Sequence, residues 1–214
     1  MASSNRKEII SEQYIIKKYM EYTLENSDYP KSVYSFCKEK KIKEEAFYRY
    51  FGSMDAISKG IWNTLFSTTI DAINANEAYS NLSMRDKLLT FFYTFFELLA
   101  LNRNYIVKEL NYRNVQLENI GQLRSLRNHI KSFARELIEI DMDENPISAF
   151  TEDTWLQFLY LLRVWINDVS VDYEETDVSI GKSVDRMCNV WENSFLNNFI
   201  SFDKILWEEK SMWN

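Results

Sequence analysis

Lys40, Lys41 and Lys43 stand within four positions, and Glu44, Glu45, Ala46, Tyr48 and Arg49 follow them. Lysine and arginine at this density neutralise phosphate and release its counterions. A carboxylate at the start of a helix can accept a hydrogen bond from the amino group of a cytosine in the major groove. The same carboxylates face the negative field of the phosphates, which lowers affinity. Near a helix N-terminus they also favour the helix dipole by roughly 0.3–1 kcal/mol with no nucleic acid present. Both readings of Glu44 and Glu45 stay open at this level.

Other chemistries find little support. The chain has one histidine, His129, and two distant cysteines, Cys37 and Cys188. They offer no zinc-ligand spacing, and free, buried thiols in a reducing cytosol are expected. In DMDENPISAFTE, Asp141, Asp143, Asn145 and Glu152 fall at calcium-loop positions one, three, five and twelve. The sixth position requires the backbone of a glycine, and Pro146 occupies it. The segment therefore reads as an acidic linker. No glycine-rich phosphate loop or GxSxG elbow is present, and a Ser-His-Asp triad would depend on His129. Enzyme activity and a cofactor are not expected.

The elements that must position these residues are helices. Four glycines and two prolines in 214 residues are too few for the turns of an all-β fold. Apolar residues recur at helical spacing almost everywhere. The pattern predicts a first helix from about Asn5 to Leu24, with Ile9, Ile16, Tyr19 and Met20 inward, ended near Pro30. Ser32 caps a short second helix carrying Val33, Phe36 and Cys37. Ile42 lies in a turn, and Ala46, Phe47, Tyr50 and Phe51 line a third helix closed by Gly52. Longer helices are then expected from Ser53 to Ala75, from a Ser83–Asp86 capping box to Leu101, and over 104–115, 119–140, 151–169 and 180–207. The fold class is all-α, with a three-helix head over 1–57 and a helical body over 58–214.

Charge follows the same division. The net charge is −7, yet residues 1–60 carry eleven Lys/Arg against nine Asp/Glu, a net of +2. The remainder carries fourteen against twenty-three, a net of −9. A mildly basic head on an acidic body suits a DNA-binding module joined to a regulatory one. The opening MASSNRKEIISEQ lacks the apolar stretch of a secretory signal. LLTFFYTFFELLAL contains Glu97 and is shorter than the roughly 18 residues of a membrane span. A cytoplasmic protein without a membrane span is expected.

Ser32, Phe36, Cys37, Ile42 and the ending FYRYFGSMDAI fall, without a gap, on the helix-turn-helix signature of TetR-family transcription regulators. The chain resembles that family over residues 32–57; beyond them only length and helix order agree. It departs from the pattern at Lys40 and Lys41, which stand for Ala-Gly in the turn. Lys43 stands for the N-cap Ser, Glu45 for a Gly, and Met54 for a frequent Lys. The resemblance implies a DNA-binding repressor that binds a palindromic operator in double-stranded DNA as a homodimer. Ser32, Lys40, Lys41, Lys43, Glu44, Glu45, Ala46, Tyr48 and Arg49 would form the DNA face. It also implies an unidentified small apolar ligand in the body, for which Trp62, Phe66, Phe95, Phe158 and Trp165 are the candidates. His129, Arg103, Arg113 and Arg163 are polar candidates nearby. A four-helix interface between two copies would use Trp155, Leu162, Trp191 and Phe195. The acidic body and the altered turn favour a second reading, a protein of the same fold that no longer binds DNA and serves as a lipid- or quinone-binding accessory.

Overall fold

The computed structural model describes residues 10–26, 28–112, 121, 123–138 and 144–211, without the side chains of 112, 144, 145 and 194–211. The helices are α1 (Glu12–Glu25), α2 (Val33–Glu39), α3 (Glu44–Tyr48), α4 (Met54–Asn74), α5 (Met84–Leu101), α6 (Arg103–Tyr112), α7 (Leu123–Glu136), α8 (Glu144–Asn167) and α9 (Glu174–Ser211). Short 3-10 turns cover Glu77–Asn81 and Val171–Tyr173. No strand occurs among the described residues, so the protein is all-α as expected.

The chain forms two compact units. One comprises Met1–Ser67 and Leu99–Leu126, the other Thr68–Leu98 and Arg127–Asn214. The sequence-based boundary at 57/58 falls inside α4, and α6 groups with the head helices.

In the first unit α1 starts at Glu12, later than the apolar spacing predicts. Ser11 is extended and its side chain accepts a hydrogen bond from Tyr14 N at 3.2 Å, which fixes the helix start. Ile9, expected inward, lies outside the described residues. Ile15, Ile16 and Tyr19 are buried, and Tyr19 meets Phe36 of α2 edge-on at 6.0 Å. Phe36 in turn meets Phe47 of α3 at 6.2 Å. Phe51 packs on Phe47 and lies over Gly60 of α4, where an added Cβ would stand 2.8 Å from the Phe51 ring. Gly60 is thus required by close approach, not by its φ. On α6, Tyr105 stands edge-on to Tyr19 at 6.3 Å.

The second unit is held by aromatic side chains of α5, α7 and α8. Phe91 stacks on Phe133 at 4.3 Å, Phe95 meets Phe158 at 5.3 Å, and Trp155 stacks on Phe158 at 5.5 Å. Ser83 caps α5 as expected, with Asp86 N donating to Ser83 Oγ at 3.1 Å, but the Asp86 carboxylate accepts from the Ser83 hydroxyl at 2.7 Å, so the reciprocal half of a capping box is replaced by a side-chain pair. Two helices begin earlier than predicted. α8 starts at Glu144, because Pro146 falls in its first turn, where a missing N–H costs nothing. α9 starts at Glu174 rather than Ile180, because Asp168 accepts hydrogen bonds from Ser170 and Thr176 at its entry. Glu152, the last residue of the calcium-loop spacing, pairs with Arg127 at 2.6 Å and Lys131 at 2.7 Å on α7. Asp141 and Asp143 lie outside the described residues. Cys37 and Cys188 are free and buried, as expected. Among the described residues no helix is long and apolar enough to cross a membrane.

Candidate nucleic-acid interface

α2, the turn and α3 are set by local hydrogen bonds more than by propensity. Ser32 caps α2, accepting from Ser35 N at 3.1 Å, while Ser32 N donates back to Ser35 Oγ at 3.2 Å. At the other end Lys40 is the C-cap and Lys41 takes a left-handed conformation with φ 55°. Ile42 N then donates to Cys37 O at 2.8 Å, the six-to-one bond of a Schellman motif. Ile42 and Cys37 are both buried, which anchors the motif on its apolar side. Glycine is the usual occupant of the left-handed position, so Lys41 holds it against a steric cost.

Lys43 is the N-cap of α3; its backbone is extended, but its side chain makes no capping hydrogen bond. Phe47 is fully buried. The opposite face of α3 is exposed at Lys43, Glu44, Glu45, Tyr48 and Arg49, with Ala46 half-buried. Tyr48 is 53% exposed and rests its ring edge against Phe47. Arg49 pairs with Glu45 at 3.4 Å one turn back along the helix. Lys41 and Ser32 are exposed as well. Burial, and then the charge of Glu44, raise the pKa of the Cys37 thiol above its ordinary value.

Lys40 is the exception among the residues chosen from the sequence. Its ammonium pairs with Glu25 at 2.7 Å and lies 5.5 Å over the Tyr22 ring, and its side chain is only 13% exposed. It is engaged within the protein, where the spacing alone predicts a phosphate contact. The sequence pattern could not signal this, because Glu25 and Tyr22 are local neighbours of α1 and meet Lys40 only through the fold. On α2, Tyr34 is 59% exposed with Lys38 over its ring at 5.7 Å, an exposed cation–aromatic pair that the motif leaves unassigned.

The candidate ligand residues divide between the units. Trp62 is buried and Phe66 half-buried, four positions apart on α4 in the first unit. In the second unit Phe95 and Phe158 meet directly, and Phe96 links Phe158 at 6.1 Å to Trp165 at 6.4 Å. These side chains pack on one another, and Phe95, Phe158 and Trp165 are fully buried. Of the polar candidates, Arg103 and His129 are half-buried and Arg163 is exposed, while Arg113 lies outside the described residues.

The expected interface residues behave differently. Trp155 and Leu162 are core residues of the single chain, 5% and 0% exposed, so they offer no surface to a second copy. Helical spacing identifies an apolar stripe but not which part of it the chain covers itself. Trp191 packs on Phe150 at 5.1 Å, and the side chain of Phe195 lies outside the described residues. Among the described residues, the large exposed apolar side chains of the same helices include Leu156 and Tyr160 on α8 and Val178 and Val190 on α9.

Residues 87–206, more than half of the chain, match the family model described as tetracyclin repressor-like, C-terminal domain. The match starts within α5 and excludes the helix-turn-helix signature of residues 32–57. No curated protein matches the chain.

Proposed function

The chain belongs to the TetR-like family of regulators, and from that premise we propose that it is a DNA-binding transcription repressor acting in the cytoplasm. In this reading it binds a palindromic operator as a homodimer, and a small apolar ligand in the body modulates that binding. One observation carries it: on α3 the apolar side chain Phe47 is turned inward, while Lys43, Glu44, Glu45, Tyr48 and Arg49 form a continuous exposed polar face. A helix N-terminus with this composition fits the major groove, where such helices read base edges.

Lys41 and Lys43 flank that face and supply the phosphate contacts. Arg49 exchanges Glu45 for a phosphate or a guanine at little cost, since the pair is solvent-exposed and worth little by itself. Glu44 and Glu45 supply discrimination, by accepting from cytosine and by repelling sequences that leave them unpaired. For the homodimer, Leu156, Tyr160 and Val190 replace the buried Trp155 and Leu162 as contact residues. For the ligand, Trp62 and Phe66 on α4 and Phe95, Phe158 and Trp165 in the aromatic cluster remain the candidates.

Selection of bound sequences from random duplexes with purified protein at low salt tests the proposal. A palindrome with half-sites about one helical turn apart is the expected result. Replacing Lys41 or Lys43 by Ala is expected to weaken binding to all sequences and flatten the salt dependence by about one unit of slope. No enrichment, with binding no tighter than about 10⁻⁴ to 10⁻⁶ M, would overturn it. The helix-turn-helix would then be a scaffold, and a lipid- or quinone-binding accessory role would take its place.

A further inference from the structure

α1 has no basic residue in its last turn. The final carbonyls of a helix carry partial negative charge and lack intrahelical donors, so a cation there is favoured. Two lysines from distant parts of the sequence provide it. Lys108 of α6 donates from Nζ to Thr23 O and, at 2.6 Å, to Asn26 O. Lys40 donates to Glu25 Oε2 at 2.7 Å and covers the ring of Tyr22. The segment 22–26 is therefore gripped from α6 on one side and from the α2–α3 turn on the other, all within one compact unit.

Lys40 is also the residue from which the turn departs. Its N–H closes α2 on Phe36 O at 2.9 Å, the next residue is left-handed, and Lys43 opens α3. Fixing the Lys40 side chain against α1 fixes the direction in which α3 leaves the turn. We propose that Lys40 and Lys108 are positioning residues for DNA recognition. Lys108 sets the end of α1, Lys40 hangs the recognition turn on it, and a displacement of α6 reaches α3 through these two side chains. This rests on the DNA-binding reading above.

Lys40 as a positioning residue and Lys40 as a phosphate contact predict opposite results for its partner. Glu25 is 64% exposed, so Glu25→Gln keeps the fold. If Lys40 positions the turn, Glu25→Gln weakens binding to a duplex recovered by the selection, on the order of tenfold, with the salt slope unchanged. Lys40→Met gives the same loss, the double variant adds little to it, and Lys40→Arg retains most of the affinity. If Lys40 instead contacts phosphate, Glu25→Gln removes a negative charge, frees the ammonium and strengthens binding. That result overturns the proposal.

Amide exchange on the full chain without DNA provides the independent arm. Lys108→Met is expected to speed exchange at Ile42, Ala46 and Phe47, more than sixty positions away in sequence. Lys108→Arg should not. A change confined to α1 and α6 would overturn the coupling. If selection enriches no duplex, the DNA reading fails while the exchange arm still decides whether the two lysines hold the turn.

Discussion

Two turns among the described residues place ordinary residues in the left-handed conformation, and they are held in different ways. In the first unit Lys41, φ 55°, reverses the chain between α2 and α3. In the second, Asp172 and Tyr173, φ 51° and 63°, reverse it between α8 and α9. Strain of this kind persists only where the surroundings over-determine it. Around Lys41 the hold is one Schellman bond, the apolar anchor of Ile42 and Cys37 beneath it, and the side chain of Lys40, which covers Tyr22 and pairs with the largely exposed Glu25. Around Asp172 it is the carboxylate of Asp168, itself 2% exposed, which accepts from Ser170 N at 2.8 Å, Ser170 Oγ at 2.6 Å, Thr176 N at 2.9 Å and Thr176 Oγ1 at 2.6 Å. A salt-sensitive clasp suits a turn that has to yield. A buried carboxylate saturated by four donors suits one that does not.

The largest expected effect comes from removing the firmer hold. Asp168→Ala strands four donors that now bind a charged acceptor, and a loss of about 2–3 kcal/mol is expected. Burial alone would raise the Asp168 pKa, but the hydrogen bonds from Ser170 and Thr176 outweigh it and lower it to about 2. A depressed folded pKa means that this stabilisation is fully present above the unfolded value of about 3.9 and is lost as pH falls toward about 2. Thermal unfolding followed between pH 5 and pH 2 should show Asp168→Ala and the parent converging at the acid end, about where that carboxyl is protonated. Parallel curves across the range would show that the α8–α9 turn does not depend on this charge.

A smaller effect of opposite sign is expected in the head. Lys43 opens α3 without a side-chain cap. Lys43→Ser should add the missing hydrogen bond to the first turn and stabilise the head by about 1 kcal/mol. It removes a phosphate cation at the same time. Urea midpoint and DNA affinity are then expected to move in opposite directions, as they do where a binding surface is kept at the expense of stability. A variant that is no more stable would mean that another group already satisfies those donors.

Legibility in the sequence followed the same division between local and tertiary control. Ser32, Ser83 and the Gly-Ser after Phe51 mark helix ends through neighbours three or four positions away, and each end lies close to its expected place. Of the expected inward set, Phe36, Cys37, Ile42, Phe47 and Phe51 are buried, while Val33 and Ala46 are half-buried and Tyr50 is 43% exposed, because α3 ends at Tyr48 and the helical period no longer governs Tyr50. The start of α9 was not readable, since Asp168 lies well before the helix and its partners are Ser170 and Thr176 rather than a residue at capping-box spacing. The pairing of Lys40 was not legible for a related reason: its charge suggests phosphate, and only the fold brings Glu25 beside it. Trp155 and Leu162 show the limit on the apolar side, since a helical stripe does not say whether the same chain or another covers it.

The smallest predicted effect compares the two turns at their strained residues. Lys41→Gly and Asp172→Gly each replace a side chain at φ above 50° with a residue that tolerates it. Both residues are exposed, so little packing is lost in either case. Glycine also loosens the unfolded chain, which offsets part of the gain by about 0.5–1 kcal/mol. Aspartate visits the left-handed region more readily than lysine, because its short carboxylate can hydrogen-bond locally. The net gain should therefore be a few tenths of a kcal/mol at Lys41, and close to zero or negative at Asp172. Differential scanning at matched ionic strength checks the order. Should Asp172→Gly prove the more stabilising, the strain would lie in the α8–α9 turn, and the firmness of the Asp168 hold would reflect how much it has to contain. The expected order instead leaves the head turn as the more strained of the two and the more weakly held, which is the combination a movable recognition helix requires.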